Sequence, residues 1–260
     1  MGLLTAVLIG FGAAAAAPFA CRGPSRRAAW IAAAAPAVIT VLLAFYAPRV
    51  WAGEAVTSAF DWVAPLGLSL SFRVDGLALL FALLIAGVGA PVMVYSGEYV
   101  AGRPDSSRFF ALMLLFMASM LGLALAGNLL LLYVFWELTT ISSFLLIGFD
   151  HEEELARAAA IEALLVTFAG GLALLAGILL LGGVAGTLET GELIARAGVI
   201  RAHPLYPAVL ALFITGAAAK SAQVPLHFWL LRSGRTERCA AARRSGMKPD
   251  APGRYAGFRR

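Results

Sequence analysis

Seven apolar stretches run along this chain, each close to the ~20 residues that an α-helix needs to cross a bilayer. Their repetition leaves little room for any fold but a bundle of membrane helices. They predict helices over 2–20, 28–47, 75–97, 109–126, 128–149, 157–182 and 205–222. The run 109–149 is too long for one crossing, and Gly127-Asn128 is its natural turn, a dipeptide that tolerates positive φ and breaks the helical pattern. Pro36 and Pro91 fall inside predicted helices and should kink them. Hydrophobic residues make up 61% and charged residues 13%, against about 45–50% and 25% in soluble domains. The expected fold class is therefore all-α, a polytopic membrane protein with about seven transmembrane helices. No polar segment before residue 230 is long enough for a large soluble domain. Residues 48–72 read as a long loop of polar-to-mixed character, and 184–204 as a short interfacial helix.

The net charge of +5 does not imply nucleic-acid binding. Nine of the twenty Lys and Arg lie in the last 29 residues, and most of the others sit in short loops. Cys21 and Cys239 form no metal-binding pattern. The first twenty residues carry no basic residue before their apolar run, whereas Arg22, Arg26 and Arg27 follow it. That order suits a spanning helix with its N-terminus outside rather than a cleaved signal. The loops then place Arg22, Arg26, Arg27, Arg103, Arg108 and Arg157 inside, with Arg49, Arg73, Arg196 and Arg201 outside. This excess has the sign that the positive-inside rule requires.

Two ionisable residues stand inside the apolar runs. Glu137 lies in LLLLYVFWELTTISSFLLIG and Lys220 in VLALFITGAAAKSAQVPLHFWL. A charge at membrane depth costs on the order of 2.5–3.5 kcal/mol on insertion scales. Residues 128–148 hold twelve Leu, Ile, Val or Phe, which together supply about −6 kcal/mol and let that helix insert regardless. The charge is tolerated rather than removed, so a use for it is the default reading; the alternative is an ion pair that only ties helices together. Glu137 falls about 14 Å into the membrane, near its midplane. Tyr133 and Thr140 share its helix face, and Trp136, Phe135 and Phe144 read as packing.

Lys220 follows the small-residue stretch Gly216-Ala-Ala-Ala and precedes Pro225 by five residues. Proline removes a backbone donor and disfavours helical geometry at the residue before it, so Pro225 predicts an interrupted helix. Free backbone groups at membrane depth survive only inside protein or beside a water-filled cavity. A lysine there loses proton affinity by burial and regains it beside a carboxylate, so a carboxylate that approaches and withdraws makes a proton relay. Arginine, effectively never deprotonated, suits that role less well. His227 titrates near neutrality by default and reads equally as a relay member or a structural residue. Asp75 reads as a helix cap or helix-end charge, Glu162 as cavity-facing or solvated, and His151-Glu-Glu-Glu154 as a polar loop. Gly216-Ala-Ala-Ala-Lys220-Ser221 lacks the glycine before its lysine and the preceding strand that a phosphate loop requires, so no nucleotide is expected.

Three segments carry a family resemblance: FRVDGLALLFALLIAGVG, NLLLLYVFWELTTISSFLLIGF and FITGAAAKSAQVPLHFWL. They resemble the antiporter-type membrane subunits of respiratory complex I and of Mrp cation/proton antiporters, and more particularly the large, A-type subunit of the Mrp sodium/proton antiporter. The resemblance spans about residues 1–230. It implies that Glu137 and Lys220 lie on a proton half-channel, with the glutamate modulating the lysine's proton affinity. It also implies partner subunits, a cell (inner) membrane location, protons and Na+ as cargo, no cofactor, no metal and no nucleic-acid partner. Three regions follow: membrane helices over 1–108, a partial proton-translocation repeat over 109–230, and a basic non-membrane tail over 231–260.

The sequence also departs from the family. Such subunits have about fourteen core helices in two inverted repeats, and after HFWL they continue with a Pro-rich segment into a further helix. Here an Arg-rich tail follows, so the first repeat lacks its last helix and the antiporter-subunit fold is incomplete. Glu162 stands where relatives often carry a basic residue nearby. The tail reads as a truncation or frameshift product. The leading functional expectation is a proton-translocating subunit of a multisubunit Na+/proton antiporter, not catalytic by itself. A membrane subunit of a proton-pumping NADH:quinone oxidoreductase and an inert fragment are the alternatives.

Overall fold

A computed structural model describes residues 2–63 and 68–231; the expectation of a basic tail falls almost wholly on residues outside these. The chain opens with α1 (Gly2–Ala20) and α2 (Ser25–Ala44), followed by the short α3 (Ala47–Trp51). Strands β1 (Val56–Val63) and β2 (Leu68–Val74) come next, then α4 (Gly76–Tyr99), α5 (Ser106–Leu125) and α6 (Leu129–Ile147). The remainder is α7 (Glu154–Ala185), α8 (Thr190–Ala195), α9 (Ala197–Ala202) and α10 (Tyr206–Lys220). Among the described residues, α1, α2, α4, α5, α6 and α7 are long and apolar enough to cross a membrane. The seventh expected span is realised as α10, whose 15 residues reach only about 22 Å. By contrast α7, with 32 residues, extends about 48 Å, enough to span with tilt or to project beyond the lipid.

Small residues set the packing. Between membrane helices there is no hydrophobic driving force, so close backbone approach supplies the contact energy. α2 turns Ala28, Ala29, Ala32 and Ala33 inward, and α4 meets it at Gly97, where an added Cβ would lie 2.6 Å from that of Ala29. α1 lies against α5 through Gly10 and Ala118. α5 then packs on α6, α6 on α7, and α7 on α10. Helix assignments run unbroken through Pro36 and Pro91.

The segment expected as a loop over 48–72 is instead α3 and an antiparallel hairpin, with Val56 opposite Val74 and Phe60 opposite Leu70. The cause lies in LSLSFRV, where apolar and polar residues alternate with the period of a strand. Phe72 and Val74 are fully buried against the helix ends. Phe72 reaches Phe135 of α6 at 6.3 Å between ring centroids, and Phe11 of α1 stacks on the same ring. The segment 184–204 also differs from expectation, since Arg196 divides it into the two short helices α8 and α9.

The turn between α5 and α6 works by capping, not by positive φ. Asn128 is extended, and its side-chain oxygen accepts from Leu130 N–H at 2.9 Å, satisfying a free donor of the first turn. Its amide donates to Glu189 at 2.8 Å. Gly127 donates to the Ser71 carbonyl at 2.7 Å and accepts from the Thr190 backbone and hydroxyl. The start of α6 is thereby tied to the hairpin and to the chain leaving α7. At the opposite end of the bundle, Arg103 pairs with Asp105 and Asp150, joining the α4–α5 and α6–α7 turns. The Arg103 and Arg108 guanidinium groups lie over the Phe149 ring.

Candidate functional site

Glu137 is placed by α6, nine residues beyond its Asn128 cap. Facing it is Gly171 of α7, so close that a Cβ there would collide with Glu137 Oε1. That oxygen is buried and has no hydrogen-bond partner, which for a polar atom away from water is an unmet demand. Tyr133, one turn back, interacts with the same carboxyl group. The adjacent Gly170 sits against Ala219 and Gly216 of α10. The pair Gly170-Gly171 thus lets α7 approach both the glutamate helix and the lysine helix.

Lys220 is the last residue of α10. The interruption starts there, not at Pro225: residues 221–227 are non-helical, and helical geometry resumes at Phe228. Pro225 lies within that turn. A proline at 225 cannot donate to the carbonyl of residue 221 or extend the helix backward without a clash, so the chain leaves the helix earlier. Ala222 adopts a left-handed φ of 51°, a conformation costing an L-residue roughly 1–2 kcal/mol. The carbonyls freed at the end of α10 are partly satisfied. Gln223 N–H donates to Ala218 O at 3.0 Å, and Trp229 Nε1 donates to Ala219 O at 3.2 Å. The lysine stands at the partially negative end of the helix, where a cation is favoured.

The Lys220 ammonium donates to Thr140 Oγ1 at 2.8 Å and lies 5.5 Å from the centroid of the Trp136 ring. Glu137 and Lys220 are within electrostatic reach. Their charged atoms nevertheless lie more than 4.0 Å apart, so they form no direct ion pair. The structure therefore gathers Glu137, Tyr133, Trp136 and Thr140 of α6, Gly171 of α7 and Lys220 of α10. Trp136, read from sequence as packing, lies under the lysine, and Thr140 is its hydrogen-bond partner. The Gly170-Gly171 pair is absent from the sequence-based candidates, although two adjacent glycines in the middle of an apolar helix are a signal of close helix approach.

Other candidates lie elsewhere. His227 is exposed, seven residues past Lys220. Asp75 caps α4, accepting from Ala78 N–H at 3.0 Å. Glu162 is half-buried on α7, and His151 is exposed in the loop before it.

A carboxylate and an amine brought together inside a multi-pass helical bundle, with the amine at a helix interruption, define a class of polytopic membrane protein with an intramembrane ionisable site. Comparison with known proteins agrees on a multi-pass membrane protein. The family described as NADH:quinone oxidoreductase/Mrp antiporter, TM, matches residues 126–235, which hold both Glu137 and Lys220. NADH-Ubiquinone oxidoreductase (complex I), chain 5 N-terminus, matches residues 62–110. A Rhizobium meliloti (strain 1021) protein, named as the probable A/B subunit of a K(+)/H(+) antiporter, is 47% identical over 201 residues, 77% of this chain and 20% of its own length. The structure of the Mrp complex from Dietzia sp. DQ12-45-1b contains a chain that superposes with a TM-score of 0.78 at 36% identity, over 90% of this chain and 25% of that one. A membrane-bound sulfane sulfur reductase, an archaeal respiratory membrane complex, shares the fold at a TM-score of 0.75 and 22% identity. The chain belongs to the family of antiporter-type membrane subunits that Mrp antiporters share with NADH:quinone oxidoreductases, and corresponds to the N-terminal part of a large Mrp subunit. It spans about a fifth to a quarter of the length of the Rhizobium and Dietzia relatives.

Proposed function

We propose that this chain supplies the Glu137–Lys220 proton-handling site of a multisubunit monovalent cation/proton antiporter. The observation that carries the reading is the Lys220 ammonium held 2.8 Å from Thr140, one turn from a buried carboxylate with an unfilled acceptor. Polar groups of this kind at membrane depth mark ion and proton pathways. The amine and the carboxyl exchange a proton as their separation changes, because each favours the charged form of the other at short range. His227, beyond the helix interruption, is a weaker candidate for the same path, and the turn around Pro225 gives that path an opening in the helix. Na+ is the cation that the sequence resemblance suggests; the name of the Rhizobium relative adds K+. The partners are further subunits of such a complex, embedded with this chain in the bacterial cell membrane, N-terminus outside. The family shared with NADH:quinone oxidoreductases supports a second reading, a proton-translocating subunit of a redox complex.

In a complete complex carrying these residues, Glu137→Ala and Lys220→Ala should each abolish cation-dependent proton movement across vesicles while the protein stays in the membrane. Normal antiport in either variant would sink the assignment. Dependence of proton movement on NADH rather than on Na+ or K+ would favour the second reading.

A further inference from the structure

Lys220 is held, but not by its opposite charge. Its ammonium donates to Thr140 Oγ1 at 2.8 Å over the Trp136 ring, while Glu137 Oε1 stays buried with its acceptor unfilled. The Thr140 hydroxyl lies 3.2 Å from the Trp136 carbonyl, to which it donates. With its proton directed backward along the helix, its lone pairs face the lysine, and it can serve only as acceptor. Glu137 and Thr140 are three residues apart, so their Cβ atoms are about 5–6 Å from each other on one helix face. The carboxylate is pressed against the α7 backbone at Gly171, whereas the amine rides on a flexible four-carbon stem. Of the two groups, the amine has the longer stem and the greater reach.

We propose that Thr140, with the face of Trp136, is a resting cradle for Lys220, a station distinct from Glu137, and that the lysine side chain shuttles between the two. Thr140 is a positioning residue in this arrangement, and the inference rests on the proton-handling reading above. Of the titratable groups on the elements packed against it, Glu137 and, through the same carboxyl group, Tyr133 on α6 face the lysine; His227 beyond the interruption is exposed, and Glu162 of α7 lies more than two turns from Gly170. Glu137 is the charged neighbour that acts on Lys220.

The chain itself makes the test tractable, because Lys220 and Lys248 are its two lysines. In a Lys248→Arg background, the full chain in lipid nanodiscs is reductively methylated across the range over which amines titrate. Mass spectrometry of the Lys220 peptide then gives the pH of half-reaction. A hydrogen bond to an ammonium favours the protonated amine, so Thr140→Val should move that midpoint down by about one pH unit, a tenfold change. Thr140→Ser should restore it. Thr140→Ala serves as a second variant where valine prevents folding, with the same expected shift. A midpoint identical to the parent's in both the Val and Ala variants would overturn the cradle. The proton-handling reading fails separately, if Lys220→Ala leaves antiport intact in the complete complex.

Discussion

The glycine pair of α7 yields a graded prediction, because the two residues face different partners. At Gly170 an added Cβ would collide with the Ala219 Cβ and lie 3.4 Å from the Gly216 carbonyl. Neither neighbour is flexible, so α7 and α10 must separate. Overpacking of this kind costs about 1–3 kcal/mol, offset by ~1 kcal/mol of improved helix propensity; Gly170→Ala should therefore destabilise by up to about 2 kcal/mol. At Gly171 the collision is with the far end of the Glu137 side chain. A rotamer change relieves it for ~0.5–1.5 kcal/mol, leaving stability nearly unchanged but moving the carboxylate away from its position. Gly183, on the same helix, has nothing within 4 Å of the added atom, so Gly183→Ala should be stabilising by ~0.5–1 kcal/mol. The assay is thermal unfolding of the three variants in one detergent, followed by cation-dependent proton movement in a complete complex. The expected stability order is Gly183→Ala, then Gly171→Ala beside the parent, then Gly170→Ala, with transport falling in Gly171→Ala despite its intact fold. A Gly170→Ala variant as stable as Gly183→Ala would refute the close approach of α7 to α10.

Asn128→Ala should lower stability by ~1–2 kcal/mol in thermal melts, since it removes both the α6 cap and the donor to Glu189; Asn128→Ser, which keeps a capping oxygen, should fall between the parent and Ala. The turn at Arg103 gives a pH dependence. The hydrogen bond from Arg103 holds the Asp105 carboxyl below the usual carboxylate range. A depressed folded-state value means that its stabilisation is present above about pH 4, the ordinary value, and is lost as pH falls through the depressed one. Melting temperatures of the parent and Asp105→Asn should therefore differ at neutral pH and converge in acid, and a gap that persists unchanged in acid would contradict the pairing.

What is legible in the sequence, and what is hidden, follows from the range of each interaction. Glu137 and Lys220 stand out because charge in an apolar run is expensive wherever the helix packs. Asn128 is readable as a boundary, though its mechanism is a cap rather than a left-handed turn. The hairpin over 56–74 is obscured because the segment's mixed polarity masks the strict alternation in LSLSFRV. The Lys220–Thr140 contact joins residues eighty positions apart. It depends on how closely α7 lets α6 and α10 approach, which the Gly170-Gly171 pair signals without naming the partners it brings together. The helix ends at Lys220, ahead of the expected break at Pro225, because the proline acts on the turn before it.

The central claim is that Lys220 releases and takes up a proton rather than merely carrying charge, and Lys220→Arg tests it most directly. Arginine keeps a positive charge opposite Glu137 but is effectively never deprotonated. Cation-dependent proton movement should be lost in vesicles bearing Lys220→Arg as fully as in those bearing Lys220→Ala, with the complex still assembled. Transport restored by arginine would show that the charge alone suffices, and the proton-handling account would be wrong.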